Sequence, residues 1–195
     1  MSDITARECT QLLERTPDVV TPNGFEENFV PKGVAYTQER EAARAKLIKI
    51  AASLIGYKPS KDAFFIATSG RYEYKNKGIN LFIESLRRLK EQSTNKKEII
   101  AFVLVPAWVN AAREDLAERM SAKKFGRTAL PDPLITHSLN NYNEDMIMNQ
   151  LHGSGFKNLA SDKVKIIFVP SYLRGDDGIV NMPYYDLLIG FDATA

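Results

Sequence analysis

Residues 99–105 read Ile-Ile-Ala-Phe-Val-Leu-Val, an unbroken apolar run as long as one β-strand. Such a run is typical of a strand that is covered on both faces, as the strands of parallel sheets are. The residues before this run predict a strand followed by a helix. A shorter apolar run at 64–67 is followed by apolar residues with helical spacing, at positions 79, 82, 83, 86 and 89.

The pattern continues on the C-terminal side of this run. Residues 109–120 predict a helix, and a less regular third cycle contains an extended segment at 134–139, a helix at 143–151 and a strand at 164–169. Strands and helices that alternate at this spacing predict a parallel sheet with helices on both faces, because parallel neighbours need a crossover connection. We therefore predict a Rossmann-like α/β domain over residues 59–195.

Residues 1–58 are predicted to form a separate segment, in which two helices flank a turn. Thr5 and Glu8 have the spacing of a capping box at the start of a helix that runs to about residue 15. A short strand is predicted at 18–20, followed by a Thr-Pro-Asn-Gly turn at 21–24. The next helix spans about 37–54, with a predicted apolar face made of Ala42, Ala45, Ile48, Ala52 and Ile55.

Composition excludes several classes of protein. The formal net charge is only +2, so nothing demands a nucleic acid as partner. Apolar residues make up 44% of the chain, yet no run of them is long enough to cross a membrane. One cysteine and two histidines offer neither an internal disulfide nor a zinc ligand set. We expect a cytoplasmic protein without a bound metal.

The segment with the strongest chemical signal is Ser69–Gly78, Ser-Gly-Arg-Tyr-Glu-Tyr-Lys-Asn-Lys-Gly, between a predicted strand and a predicted helix. Ligands of open α/β sheets bind at the carboxyl ends of strands, where the start of the following helix favours an anion. Arg71 and Lys77 would add two positive charges there. From spacing alone, a diphosphate site and a merely solvated, charged loop are about equally supported.

The same segment, continued by Ile-Asn-Leu-Phe-Ile-Glu-Ser-Leu-Arg-Arg-Leu at 79–89, closely resembles the signature of the animal and fungal type of glycogen synthase. The resemblance is colinear over nearly the whole chain, and it includes Pro-Asp-Val-Val-Thr-Pro-Asn-Gly at 17–24, Pro-Leu-Ile-Thr-His at 133–137 and Val-Lys-Ile-Ile-Phe-Val-Pro at 164–170. It departs at 169–173, where Val-Pro-Ser-Tyr-Leu replaces the His-Pro-Glu-Phe-Leu that is frequent in the family.

The resemblance implies a donor site. Arg71 and Lys77 match the residues that contact the donor phosphates, beside the helix amides near Gly78. Tyr172 and Tyr184 match the aromatic positions that flank the nucleotide base, and Leu173 belongs to the same predicted substrate-binding set. His137, Trp108 and the turn at Asn23 and Gly24 are instead interpreted as structural.

The family has two facing Rossmann-like domains (the GT-B architecture), and its members transfer glucose from UDP-glucose to the non-reducing end of an α-1,4-glucan with retention. By this resemblance the chain is an incomplete C-terminal half, and residues 1–58 are expected to be an interdomain segment. The apolar run at 190–195 resembles the start of a strand, and the family's catalytic glutamate loop would follow Ala195. We therefore expect no catalytic residue in the chain itself, which would bind donor without turning it over.

The resemblance also implies the partners and leaves alternatives. UDP-glucose is the expected donor substrate, glycogen or a related α-glucan the acceptor, no metal or other cofactor is required, and the parent protein is expected to be a homo-oligomer. The alternatives are another two-domain glycosyltransferase, similar to starch or sucrose synthase, and a non-catalytic, nucleotide-sensing module on a Rossmann-like core.

Overall fold

A computed structural model describes residues 2–24, 26–92, 96–122 and 126–195. The chain forms two compact units, Met1–Gly33 and Val34–Ala195. The sequence instead grouped residues 1–58 as one segment, so the structure assigns the helix before the sheet to the larger unit. The interdomain role predicted for the first segment stays a prediction.

The small unit contains helix α1 (Asp3–Leu13) and a 3-10 turn at Glu27–Phe29. The cap of α1 is Ser2, whose hydroxyl accepts a hydrogen bond from the amide of Thr5 at 3.2 Å. The prediction that Thr5 caps the helix was therefore wrong by one turn, because a serine three residues earlier fills the same role. The strand predicted at 18–20 is also absent: these described residues have no strand partner.

The large unit alternates helices and strands. In chain order its elements are α2 (Gly33–Ile55), β1 (Phe64–Ser69), α3 (Ile79–Glu91), β2 (Ile99–Leu104), β3 (Val109–Ala112), α4 (Glu114–Ser121), β4 (His137–Leu139), α5 (Met146–Gly153), β5 (Val164–Val169), α6 (Tyr184–Leu188) and β6 (Ala193–Thr194). None of the described helices is long and apolar enough to cross a membrane.

The main sheet has the strand order β5-β2-β1-β6, and all neighbours are parallel. Every residue of β2 and β5 is buried, as expected for strands covered on both faces. From β1 the chain moves outward through β2 to β5 and then returns to the other side of β1 as β6. The order therefore reverses beside β1, and such a switch point opens a crevice at the carboxyl ends of the strands. This confirms the predicted parallel α/β fold.

Helices cover both faces of the sheet. One apolar cluster contains residues of α2, α4 and α6, and the other contains residues of α3 and α5. The apolar face predicted for α2 was wrong at Ala42 and Ala45, which are exposed, and correct at Ala52 and Ile55, which are buried; Ile48 packs against the core. The buried residues of its first turns are Ala43 and Leu47, and the stretch from Ile50 to Ile55 is buried all round.

The helix predicted over 109–120 begins only at Glu114, since Val109–Ala112 is the strand β3. It pairs with β4 in an antiparallel ribbon in which Val109 lies opposite Leu139 and Ala112 opposite His137. Alanine favours helices in isolation, but here the hydrogen bonds to β4 fix the extended form.

Asp192 fixes the last strand in the sheet. Its carboxylate accepts hydrogen bonds from Arg40 and Arg44 of α2, both at 2.9 Å, and from the amide of Phe65 in β1 at 2.8 Å. The Arg44 guanidinium also lies 4.0 Å above the centroid of the Phe65 ring. This network joins α2, β1 and the residues that precede β6, which places β6 beside β1.

Candidate functional site

A pocket of about 580 Å³ opens at the carboxyl end of the sheet. Three connections form its walls: the loop after β1, the residues after β2, and the loop between β5 and α6. This is the edge at which the strand order reverses and where ligands of open α/β sheets bind. The lining residues are Gly70, Arg71, Tyr72, Leu104, Pro106, Ser171, Tyr172, Leu173, Arg174 and Tyr184.

The pocket is positively charged. Arg71 and Arg174 are the only charged residues on its described lining, and no carboxylate lies among them. Arg71 forms an ion pair with Glu73 at 3.0 Å, but its side chain is 81% exposed, so the pair holds it only weakly. The Arg174 guanidinium lies 5.5 Å from the centroid of the Tyr172 ring. Both guanidinium groups remain available to an anion.

Tyr184, at the start of α6, connects two walls of the pocket. Its hydroxyl is 2.5 Å from the Ser69 hydroxyl at the end of β1, and its amide donates to the Leu173 carbonyl at 2.9 Å. Arg174 and Pro183 form an antiparallel bridge beside it. The half-buried Tyr184 ring is therefore fixed in orientation, while the Tyr172 ring is 66% exposed.

Several amides at the end of the loop from Gly70 to Gly78 and at the start of α3 donate to carbonyls of the loop itself. The amides of Lys77, Gly78 and Asn80 donate to the carbonyls of Glu73, Lys75 and Tyr74. Gly78 precedes α3 in the left-handed region, at φ 65°, which glycine adopts without strain. The amides of Gly78 and Asn80 are thus engaged within the loop, although the sequence predicted that amides here face a phosphate.

The six predicted site residues divide into two groups. The structure brings Arg71, Tyr172, Leu173 and Tyr184 together on one pocket. Lys77 and Gly78 lie outside this lining, and Lys77 is exposed without an ion pair to any described residue. A role for Lys77 and Gly78 in phosphate binding stays a prediction from the resemblance.

Tyr72 fixes the loop that carries Arg71. Its hydroxyl donates to Asp145 at 2.7 Å and accepts from the amide of Ile147 at 3.2 Å. Asp145 is buried and caps α5, because its other oxygen accepts from the Met148 amide at 2.9 Å. Burial raises the pKa of Tyr72, and the Asp145 carboxylate raises it further.

Sequence reasoning missed Tyr72, Asp145 and Arg174. An aspartate before the helix predicted at 143–151 is a recognisable cap, but its second bond joins residues 73 positions apart. Arg174 gave a weaker signal, as a basic residue a few positions after the strand at 164–169.

His137 is structural, as its sequence context indicated. It is 1% exposed, its Nδ1 lies 2.8 Å from the Thr136 hydroxyl, and its Nε2 lies 3.0 Å from the Asp177 carbonyl oxygen. Burial alone would raise the pKa of Asp177, but hydrogen bonds from His137 and the amides of Asn181 and Val180 hold it below its ordinary value. The cluster joins β4 to the loop that carries Tyr172.

No cluster of three potential metal ligands occurs within residues 2–24, 26–92, 96–122 and 126–195. The positive charge that the described pocket offers to an anion therefore comes from its arginines.

Comparison with known proteins identifies the family. The family model described as glycogen synthase matches residues 1–126, a range that includes the loop from Gly70 to Gly78. The chain is 28% identical to the glycogen [starch] synthase of Neurospora crassa, 29% to isoform 2 of the Saccharomyces cerevisiae enzyme and 25% to the liver enzyme of Rattus norvegicus. Each alignment covers 97% of this chain and 34–36% of the relative, so the chain spans about a third of the length of these relatives. The chain belongs to the glycogen synthase family.

Proposed function

We propose that the chain is the donor-binding part of an enzyme that transfers glucose from UDP-glucose to the non-reducing end of an α-1,4-glucan with retention. The observation that carries the proposal is the pocket at the switch point of the sheet, whose described lining has two arginines and three tyrosines and no carboxylate. A nucleoside diphosphate has the matching chemistry, an anionic end and a flat aromatic end. Family membership supports this enzyme over the starch or sucrose synthase and nucleotide-sensing alternatives.

The arginines would act on the diphosphate. Breakage of the bond between glucose and phosphate builds negative charge on the departing UDP, so a fixed cation stabilises the transition state more than the ground state. Arg71 takes this role by the resemblance, and Arg174 adds a second guanidinium on the same pocket. Because these groups supply the positive charge, transfer would need no metal ion.

The tyrosines would hold the base. Tyr184 presents a ring whose orientation is fixed by Ser69 and by the Leu173 carbonyl, which suits stacking on uracil. Tyr172 is more exposed and would cover the base once the donor is bound, beside Leu173. Lys77, free of ion pairs to the described residues, would reach the phosphates only in the donor complex.

The remaining properties of the parent protein are also proposals. We infer that the acceptor is glycogen or a related α-glucan, that the protein acts in the cytoplasm, and that the parent is a homo-oligomer. A single cysteine is compatible with a reducing compartment.

The test is calorimetric titration of the chain with UDP, uridine and pyrophosphate. UDP should bind, and Arg71→Ala should weaken UDP and pyrophosphate about tenfold or more, because a hydrogen bond to a charged group contributes about 1.5–3 kcal/mol. Uridine affinity should change little.

Lys75→Ala is the matched control for this titration, since Lys75 lies in the same loop, is exposed and does not line the pocket. It should leave UDP affinity within about twofold. Equal losses for Lys75→Ala and Arg71→Ala would refute the assignment of Arg71 to the phosphates.

A further inference from the structure

Trp108, which was interpreted as structural from the sequence, is an exposed aromatic side chain on a fixed backbone. It follows β2, and its carbonyl accepts hydrogen bonds from the amide and side chain of Asn140, at 3.0 and 3.4 Å. The neighbouring Ala107 amide donates to the Pro170 carbonyl at 2.8 Å. The indole is nevertheless 68% exposed and makes no hydrogen bond or ring contact with the described residues. An exposed, preorganised tryptophan of this kind is typical of a binding surface.

Trp108 separates two grooves that both adjoin the donor pocket. The first, of about 330 Å³, shares Tyr72 and Pro106 with that pocket. The second, of about 420 Å³, shares Tyr172 and Arg174 with it. A chain-like ligand that crosses the indole would therefore reach the edge of the donor pocket.

The first groove differs from the donor pocket in charge. Its described lining holds no lysine or arginine but includes the carboxylates of Glu144 and Asp145. Asp145 is engaged by Tyr72 and the Met148 amide, whereas Glu144 is exposed and makes no ion pair with the described residues. An anionic donor is unsuited to this groove, while a neutral ligand rich in hydroxyl donors is suited to it.

We propose that Trp108 and the first groove, the one lined by Glu144, bind the acceptor α-glucan. The indole would stack on the apolar face of a glucose ring, and the exposed Glu144 carboxylate would accept hydrogen bonds from sugar hydroxyls. The inference rests on the proposed function, because it is the shared wall with the donor pocket that makes the ligand the acceptor and not an unrelated saccharide.

The experiment uses the intrinsic fluorescence of the chain, because Trp108 is its single tryptophan. Acrylamide should quench the emission of the free protein efficiently, as the exposed indole predicts. Titration with maltoheptaose should produce a saturable blue shift and protect the indole from acrylamide. Cellohexaose, which has β-linkages and a different curvature, serves as the sugar control and should bind more weakly.

Variants test the same contact without the fluorophore. In affinity electrophoresis through gels that contain glycogen, Trp108→Ala should bind about tenfold more weakly or worse, and Trp108→Phe should keep part of the affinity. Leu81→Ala removes an equally exposed apolar side chain from α3, outside the donor pocket and both grooves, and should bind like the parent chain. Circular dichroism checks that each variant is folded.

Two results would overturn the inference. One is a maltoheptaose titration that leaves emission and quenching unchanged, together with Trp108→Ala that binds glycogen like the parent chain. The other is an indole already protected from acrylamide in the free protein, with light scattering that gives a dimer, because a second copy would then cover it. UDP titration separates this inference from the proposed function. UDP binding without glucan binding refutes only the groove, whereas glucan binding without UDP binding refutes the donor site and, with it, the assignment of the bound glucan as the acceptor.

Discussion

Asp145 connects the site loop to α5, and its removal should be costly in two ways. One carboxylate oxygen caps the helix and the other accepts the Tyr72 hydroxyl, while the residue itself is 4% exposed. Loss of a helix cap costs about 1 kcal/mol. Loss of a hydrogen bond to a charged acceptor adds about 1.5–3 kcal/mol. Asp145→Ala should therefore lower the free energy of unfolding by about 3 kcal/mol.

The assay is urea unfolding of a double-mutant cycle, with the slope m checked for constancy. Tyr72→Phe removes only the hydroxyl, which leaves the Ile147 amide without that acceptor. The double variant Tyr72→Phe/Asp145→Ala should lose less free energy of unfolding than the two single variants lose in total. The difference, which is the coupling energy, should be about 1.5 kcal/mol. Asp145→Asn separates the two roles, since the single amide oxygen of asparagine can keep the helix cap, whereas the NH2 group that replaces the second carboxylate oxygen cannot accept from Tyr72.

The cycle can refute the reasoning directly. If the two single losses add within about 0.5 kcal/mol, the hydroxyl and the carboxylate are not coupled in solution. The same variants also report on the site. Because Arg71 adjoins Tyr72, a loop released from α5 should bind UDP more weakly under conditions in which the protein is fully folded. Unchanged UDP affinity in folded Asp145→Ala would show that this contact serves stability alone.

Two further predictions concern the last strand and the base site. Burial alone would raise the pKa of Asp192, but the Phe65 amide and Arg44 hold it below its ordinary value. Its contribution to stability is therefore complete above about pH 4, near the pKa of an unfolded aspartate, and is lost as the pH falls through the folded pKa. Urea unfolding is measured from neutral to acidic pH. Asp192→Asn should have a lower free energy of unfolding than the parent chain at neutral pH and should lose less of it on acidification. Parallel dependences of the unfolding free energy on pH would contradict this. Tyr184→Phe loses the hydrogen bond to Ser69 but keeps the ring, and because the ring stacks on the base, UDP should bind nearly as well. Tyr184→Ala removes the ring and should lose about 1–3 kcal/mol of UDP binding free energy. Equal losses in the two variants, measured by calorimetry, would mean that the hydroxyl and not the ring is what matters.

Local patterns in the sequence were enough to assign the fold class and one part of the site. The apolar run at 99–105 and the mostly apolar segment at 164–169 became the buried strands β2 and β5, because a strand covered on both faces favours apolar residues. The exception is Lys165, which is buried and forms an ion pair with Glu98. The loop with Arg71 could be assigned to the carboxyl edge of the sheet, since it follows a strand and precedes a helix. These features depend on local periodicity and chain order, which the sequence contains.

Which faces and loops meet depends on the packing of the whole domain. The stretch from Ile50 to Ile55 is buried all round, so apolar spacing could not define the face of α2. Val109–Ala112 is extended because β4 pairs with it, and no local preference indicates that partner.

The site shows the same limit over longer distances. Tyr72 meets Asp145 across 73 residues, and Ser69 meets Tyr184 across 115. Arg174 joins Arg71 on one pocket because β5, β2 and β1 are neighbours in the sheet, so that the loops after them share an edge. Such contacts arise from the strand order, which depends on how all the apolar faces pack at once and not on the spacing of residues within any one segment.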